Sequence, residues 1–275
     1  MLGVVSDIDI IRRIDGYCDA QPRERARVEE HGALVLFVAV KPGYPYYARP
    51  RVGVRGPVTA ADVRAVRVRQ RELRLPESFE WIESNAPEMA AAAIEAGLRV
   101  HRHPLLVLTD LSSAPPVPAG VAARILAPDD PELLQAWAVP GVAFAHPGNE
   151  ISRAGVVERA KLAANHDPAA VEVVRERLRT GRSVLGTASG PDGPLASGSY
   201  QYVAGVAEIT GVGVLPVARR QGLGAAVTHA LAAHALARGT SIVFLSAADA
   251  DAARVYTRLG FREIDTAVIA EPPDV

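Results

Sequence analysis

The chain has 275 residues, of which 49% are hydrophobic, and its formal net charge is −1. This composition excludes a mainly disordered protein, because disordered chains combine low hydrophobicity with high net charge. The balanced charge argues against a general nucleic-acid binder, and no run approaches the ~20 apolar residues of a membrane span. The N-terminal residues 1–16 contain acids and do not resemble a signal peptide, and Cys18 is the only cysteine, so we expect a cytoplasmic protein without disulfides.

The first half of the chain is predicted to mix helices and strands. Residues 5–30 form two charged, amphipathic stretches broken by Gly16 and Pro22, which favour helices. Thr59 and Asp62 have the spacing of a capping box that begins a helix. In chain order the later predictions are strands at 33–40 and 46–54, a helix at 60–73, a strand at 79–84, a helix at 87–97 and a strand at 98–109.

A boundary is predicted at residues 109–120, which contain three prolines and no apolar periodicity. Such a segment is typical of an exposed linker, so we predict a first domain at 1–108 and a second at 121–275. In the second domain we predict a strand at 121–127, helices around 131–138 and 168–181, and three strands with turns at 190–193 and 204–205. A helix at 222–238, a strand at 241–247, a helix at 249–260 and a strand at 261–270 follow. Strands alternating with helices indicate an α/β layered fold.

The two halves share an internal similarity. Residues 85–100 and 248–263 each begin a helix with an acidic or amide residue, end it at a glycine and continue as a strand. The distance between them is too long for a solenoid repeat, so we interpret the similarity as a domain duplication.

The most informative motif lies at the start of the helix predicted at 222–238. The run Arg219-Arg220-Gln221-Gly222-Leu223-Gly224 follows a predicted strand. Glycines at such a junction let a ligand approach the backbone, and the free N–H groups of the first helical turn favour an anion such as phosphate. The run matches neither a Walker A loop nor a dinucleotide-binding fingerprint. The alternative interpretation is an ordinary helix start whose small residues allow close packing.

Together with a second motif, this run resembles a known family. Arg219-x-x-Gly222-x-Gly224 followed by Tyr256-x-x-x-Gly260-Phe261 is similar to the GCN5-related N-acetyltransferase (GNAT) family, over about residues 121–271. The resemblance implies a mixed α/β sheet, acetyl-CoA as co-substrate and a tandem arrangement. The first half would be a degenerate copy, since it lacks the glycine motif and has Ala93 in place of Tyr256.

The resemblance also implies which residues bind the cofactor. The loop amides would hold the pyrophosphate of coenzyme A, and the preceding strand would pair with its pantetheine arm. Asp249 stands where the family often has asparagine; it can cap the helix, but an ionised carboxylate cannot donate a hydrogen bond to the cofactor. The full expected set is Val212, Gly213, Val214, Arg219, Arg220, Gln221, Gly222, Leu223, Gly224, Ala225 and Asp249.

The expected catalytic residues are Tyr256 and Glu208. Tyr256 would protonate the departing thiolate, and Glu208 or a water would accept the proton of the amine. The alternative for Tyr256 is a core aromatic residue on an amphipathic helix. The alternative for Glu208 is a carboxylate at a strand edge that is paired with arginine. His146 and Glu150, in a loop that borders the acceptor site in the family, are candidates for substrate contacts. No metal is expected, because no further ligand accompanies the alternating His101 and His103.

The sequence therefore predicts an N-acetyltransferase that transfers an acyl group directly from acetyl-CoA to the amine of a small molecule or peptide. The rival hypothesis is an acyl-CoA-binding regulatory module without turnover. A homodimer is common in the family, and no motif in this chain identifies the acceptor.

Overall fold

The computed structural model describes residues 6–40, 46–54 and 56–273. These residues form two compact units. Unit 1 takes the described residues of Met1–Leu106, Ser246–Ala253 and Glu263–Val275, and unit 2 takes Val107–Leu245 and Arg254–Arg262.

Helices and strands alternate along the chain, which confirms the predicted mixed α/β class. The helices are α1 (Asp7–Arg23), α2 (Ala60–Glu72), α3 (Met89–Glu95), α4 (Leu133–Phe144), α5 (Val156–Ala164), α6 (Pro168–Arg179), α7 (Leu223–Ala237) and α8 (Ala250–Arg258). The strands are β1 (Ala26–His31), β2 (Leu34–Ala39), β3 (Ala48–Pro50), β4 (Phe79–Ile82), β5 (Arg99–Leu108), β6 (Ala122–Ile125), β7 (Ser183–Gly190), β8 (Gly193–Val203), β9 (Val206–Val214), β10 (Ile242–Ser246) and β11 (Phe261–Glu271).

Unit 1 is a mixed sheet with the strand order β1-β2-β3-β4-β11-β5. Strand β3 runs parallel to β4, and β1 and β3 both pair antiparallel with β2. Helices α2 and α3 contribute to its apolar core, and the capping box of Thr59 and Asp62 begins α2 as predicted. Fully buried members of this core include Leu34, Phe79, Met89 and Val268.

The C-terminal strand does not follow the predicted domain boundary. We expected residues 121–275 to form one domain, yet β11 pairs antiparallel with β4, with Ala267 opposite Ile82 and Ala270 opposite Phe79. Val268 and Ala270 are fully buried in the core of unit 1. Burial of this apolar face and the hydrogen-bond ladder with β4 explain why the strand belongs to unit 1.

The N-terminal prediction was wrong in its second part. Helix α1 runs through Gly16 without a break and ends just after Pro22, and β1 occupies the region predicted as a second helix. Strand β1 lies at the edge of the sheet, where one neighbour suffices and charged side chains remain solvated. Its polar sequence therefore lacks the apolar alternation by which strands are recognised.

Unit 2 has the strand order β10-β9-β8-β7-β6, in which β10 is parallel to β9 and the other pairs are antiparallel. Helix α4 packs against β8 and β9, and α7 packs against β7, β8 and β9. A Cβ on Gly213 would point at α4, whereas Gly224 of α7 approaches Val212 and Val214. Because neighbouring residues of a strand face opposite sides, α4 and α7 cover opposite faces of this sheet.

The predicted linker is irregular in conformation, but its start is fixed. Thr109 donates from both its backbone N and its Oγ1 to the carbonyl of Gly260, at 3.0 and 2.9 Å. The backbone N of Ser112 donates to Leu259 O at 3.2 Å. Among the described helices, none combines the length and apolar character needed to cross a membrane.

Candidate active site

Strands β9 and β10 separate part-way along their length. Their parallel pairing covers Val206 to Glu208 on β9 and Ile242 to Phe244 on β10. Residues 209–214 of β9 continue beyond the last pair, and within the described residues only β8 pairs with them. The other edge of this part of β9 therefore presents backbone N–H and C=O groups that an extended ligand can use.

A β-bulge marks this free part of β9. The register with β8 shifts between Ser197 and Ser199, so that two residues of β9 face Gly198 alone. Gly211, with φ +62°, supplies the left-handed conformation of the bulge. The bulge was not foreseen, although an isolated glycine inside a strand pattern is its usual signal.

Val212, Gly213 and Val214, the strand residues expected to bind the cofactor, differ in whether their backbone groups are available at the free edge of β9. Leu215 N donates to Leu195 O of the neighbouring chain segment at 2.8 Å. Since backbone groups alternate along a strand, those of Val214 point to the free edge. Val212 belongs to the bulge. Gly213 instead pairs with Ser197, and a Cβ on it would lie 2.9 Å from Pro140 Cα, so its lack of a side chain permits the packing of α4.

The loop between β9 and α7 holds two residues in the left-handed region. Arg220 has φ +66° and is exposed, and Gly222, the N-cap residue of α7, has φ +76° and ψ 3°. Successive N–H groups in such a turn converge toward one point and suit an anion. Gln221 is exposed, Ala225 is half-buried, and Leu223 is buried at 1% exposure and anchors the start of the helix.

The N-termini of α2 and α7 contrast sharply in their suitability for phosphate. In unit 1, α2 follows β3 as α7 follows β9, but its end is closed by Thr59 and Asp62. Asp62 N donates to Thr59 Oγ1 at 3.3 Å and Thr59 N donates to Asp62 Oδ2 at 2.9 Å. Helix α7 has neither a capping side chain nor an acid in its first turn. An anion is therefore favoured at α7 and repelled at α2.

The side chain of Arg219 is committed to protein partners. Its Nη1 donates to Glu150 O at 3.0 Å, and its Nη2 donates to Ala143 O at 3.1 Å and to His146 O. Arg219 stands in the set of residues expected to bind the cofactor, but in this structure its guanidinium has protein partners. The guanidinium instead binds the end of α4 and the loop that follows.

Tyr256 lies on α8 and is half-buried, with its ring edge-on to Phe261 at 6.2 Å between centroids. Burial raises the pKa of its hydroxyl, which keeps the group protonated at neutral pH. Within the described residues no hydrogen bond engages this hydroxyl. A protonated and available hydroxyl is what a proton donor requires.

The two acidic candidates have different surroundings. Glu208 is half-buried on β9, opposite Gln201 and Phe244 at the last pair before β9 and β10 separate. Asp249 is exposed, and its Oδ1 accepts from Ala252 N at 2.8 Å, so it caps α8 as expected. Asp249 belongs to unit 1, unlike the other residues expected to bind the cofactor.

His146 and Glu150 are both exposed in the loop after α4. The Nδ1 of His146 is 3.0 Å from Val142 O. A carbonyl oxygen can only accept, so Nδ1 donates in this contact.

The described residues contain no group of three His, Cys, Asp or Glu arranged for a metal ion. Several histidines have other partners. Hydrogen-bond contacts join His103 Nδ1 to Ala248 O at 3.1 Å, His229 Nε2 to Ser112 O at 3.0 Å and His234 Nδ1 to Tyr200 Oη at 2.9 Å.

Comparison with known proteins agrees with this geometry. Residues 184–270 match the family model described as FR47-like protein. A GCN5-related N-acetyltransferase from Kribbella flavida has 25% identity and a TM-score of 0.69, covering 97% of this chain and 96% of that one. In sequence and in fold, this chain is therefore similar to GCN5-related N-acetyltransferases.

Two further proteins are similar to this chain. A mycothiol acetyltransferase of Cellulomonas flavigena is 31% identical over 206 residues, which cover 70% of this chain. The chain spans about half the length of that curated relative, 56% of it. A tandem GNAT protein from the clavulanic acid biosynthesis pathway has a TM-score of 0.56 at 18% identity, covering 88% of this chain and 80% of that one. That likeness concerns the fold, which is the predicted tandem GNAT fold.

Proposed function

We propose that unit 2 binds acetyl-CoA and transfers its acetyl group to the amine of a small molecule or peptide. The observation that carries this proposal is the free edge of β9, which leads directly into the uncapped N-terminus of α7. The backbone groups of Val212 and Val214 would pair with the pantetheine arm as an added strand. The N–H groups from Gly222 to Ala225 would bind the pyrophosphate.

The reaction needs two proton transfers, one from the attacking amine and one to the departing sulfur. A free aliphatic amine has a pKa near ~10, so it must lose a proton, which Glu208 or a water accepts. As the new N–C bond forms, N–H groups freed by the bulge at Gly211 polarise the thioester carbonyl. The C–S bond then breaks, and Tyr256 gives its proton to the departing sulfur. A tyrosine hydroxyl is protonated at neutral pH, which supports Tyr256 as the proton donor.

Ligand-induced thermal stabilisation tests the binding site. Acetyl-CoA and free coenzyme A at about 100 times their dissociation constants should stabilise the wild type by about 2.7 kcal/mol, and ADP should stabilise it less. Gly222→Glu should abolish the shift, because it places a negative side chain at the helix N-terminus. Gly239→Glu is the matched control, since Gly239 has nearly the same φ of +78° and open space around it. The binding proposal fails if no coenzyme A compound shifts the wild type, or if both variants lose the shift equally.

Thiol release from acetyl-CoA then tests turnover. The panel of amines begins with the acceptor of mycothiol acetyltransferases, the enzyme type of the curated relative. Thiol release that depends on an amine and is lost in Tyr256→Phe supports the enzyme. Binding of coenzyme A without release by any amine would instead favour the acyl-CoA-binding module. That alternative draws on Asp249, which stands where the family often has asparagine.

A further inference from the structure

The guanidinium of Arg219 connects the cofactor loop to the segment that follows α4. Its three carbonyl partners are spread over eight positions of the chain, from Ala143 in the last turn of α4 to Glu150. The carbonyl of Ala143 lies in the last turn of α4, where it also accepts from His146 N at 3.2 Å, and a cation is favoured at this end of a helix. Arg219 thus fastens both ends of this segment at once.

Two backbone hydrogen bonds strengthen the same connection further along the chain. Ser152 N donates to Pro216 O at 3.4 Å, and Val217 N donates to Ala154 O at 3.1 Å. A Cβ on Gly155 would lie 2.6 Å from Val217 Cγ1, which shows how closely the two segments approach. Residues 143–155 are therefore fixed against the turn that enters the cofactor loop.

Arg219 uses only backbone carbonyls in this contact. Three side chains of the fastened segment are exposed, those of Phe144 at 62%, His146 and Glu150. An aromatic ring, an imidazole and a carboxylate are groups suited to an amine that carries both apolar and polar parts.

We propose that Arg219 is a positioning residue for the amine acceptor and that its side chain is not a ligand of the coenzyme A phosphates. This inference rests on the proposed function for its substrate, but the contact itself does not. The guanidinium holds residues 143–150 in one conformation, so that the acceptor meets an ordered surface beside the bound thioester donor. Arg220, exposed and left-handed in the same loop, is the arginine whose side chain remains for the phosphates.

Hydrogen exchange in the ligand-free protein gives a readout that needs no activity. Arg219→Lys keeps the charge, but a single ammonium cannot span three carbonyls in the way a planar guanidinium does. We expect the protected amides of residues 144–155 to exchange at least tenfold faster in Arg219→Lys than in the wild type. In Arg220→Gln, the matched control, they should exchange at the wild-type rate. Unchanged exchange in Arg219→Lys would overturn the proposal.

Measurements of binding and kinetics distinguish the roles of Arg219 and Arg220 independently of hydrogen exchange. Arg219→Lys should bind coenzyme A within twofold of the wild type and raise KM for the amine about tenfold, leaving KM for acetyl-CoA unchanged. Arg220→Gln should raise the dissociation constant of coenzyme A about tenfold. An equal loss of coenzyme A affinity in both variants would show that Arg219 is a phosphate ligand. If the wild type binds no coenzyme A, the proposed function fails while the exchange result still decides the role of Arg219 in the segment.

Discussion

Replacing Gly260 with alanine should destabilise unit 2 strongly. Gly260 has φ +95°, and a Cβ there would lie 1.6 Å from Asp110 O, a backbone atom. Residues 109–112 would have to move away by more than an ångström. That movement breaks the two hydrogen bonds of Thr109 to Gly260 O and the one from Ser112 N to Leu259 O.

The expected loss follows from these contacts. Each broken hydrogen bond costs about 1 kcal/mol, and a left-handed alanine adds roughly 1–2 kcal/mol. We therefore expect Gly260→Ala to lower the free energy of unfolding by about 4 kcal/mol, measured by urea denaturation. The matched control is Gly239→Ala, because Gly239 has φ +78° and no atom within 4 Å of its Cβ position. Gly239→Ala should lose only the roughly 1–2 kcal/mol of unfolding free energy that a left-handed alanine costs. Equal losses in the two variants would refute the reasoning, since they would show that residues 109–112 are not held by Gly260.

Three further predictions concern catalysis, helix capping and pH. Tyr256→Phe should lower kcat by about 10²–10⁴-fold while coenzyme A affinity stays within twofold, and unchanged kcat would remove Tyr256 from the mechanism. Thr59→Ala should cost about 1 kcal/mol of stability in thermal unfolding without altering coenzyme A binding, because it opens the cap of α2 only. The Arg69 guanidinium lowers the pKa of Glu29 from 4.5 to about 2. Glu29 therefore contributes stability above pH 4.5 that is lost as pH falls toward 2, and the stability gap between wild type and Glu29→Gln should close over that range. If the stability difference stayed constant between pH 4.5 and pH 2, the ion pair between Arg69 and Glu29 would be contradicted.

Local chemistry allowed the starts of α2 and α7 to be predicted from sequence. The helix start at Gly222 and the capping box at Thr59 depend on residues within a few positions of each other, so their patterns are legible in the chain. The alternation of helices and strands in unit 2 likewise follows from apolar spacing and glycine turns.

What the sequence could not reveal depends on long-range pairing. The apolar pattern of β11 is the same whether it pairs within its own half or with β4, so its place in unit 1 left no local signal. The polar edge strand β1 has a helix-like charge pattern because solvent covers it. The contacts of Arg219 left no local signal, because its partners lie about 70 residues away and a motif position alone does not tell which way a side chain points.

The most direct test of the account is the stoichiometry of coenzyme A binding, measured by isothermal titration calorimetry on the whole chain. The open N-terminus of α7 and the capped N-terminus of α2 predict one molecule per chain, with binding lost in Gly222→Glu. Two molecules per chain would contradict the contrast between the two helices. No binding would contradict the cofactor site altogether.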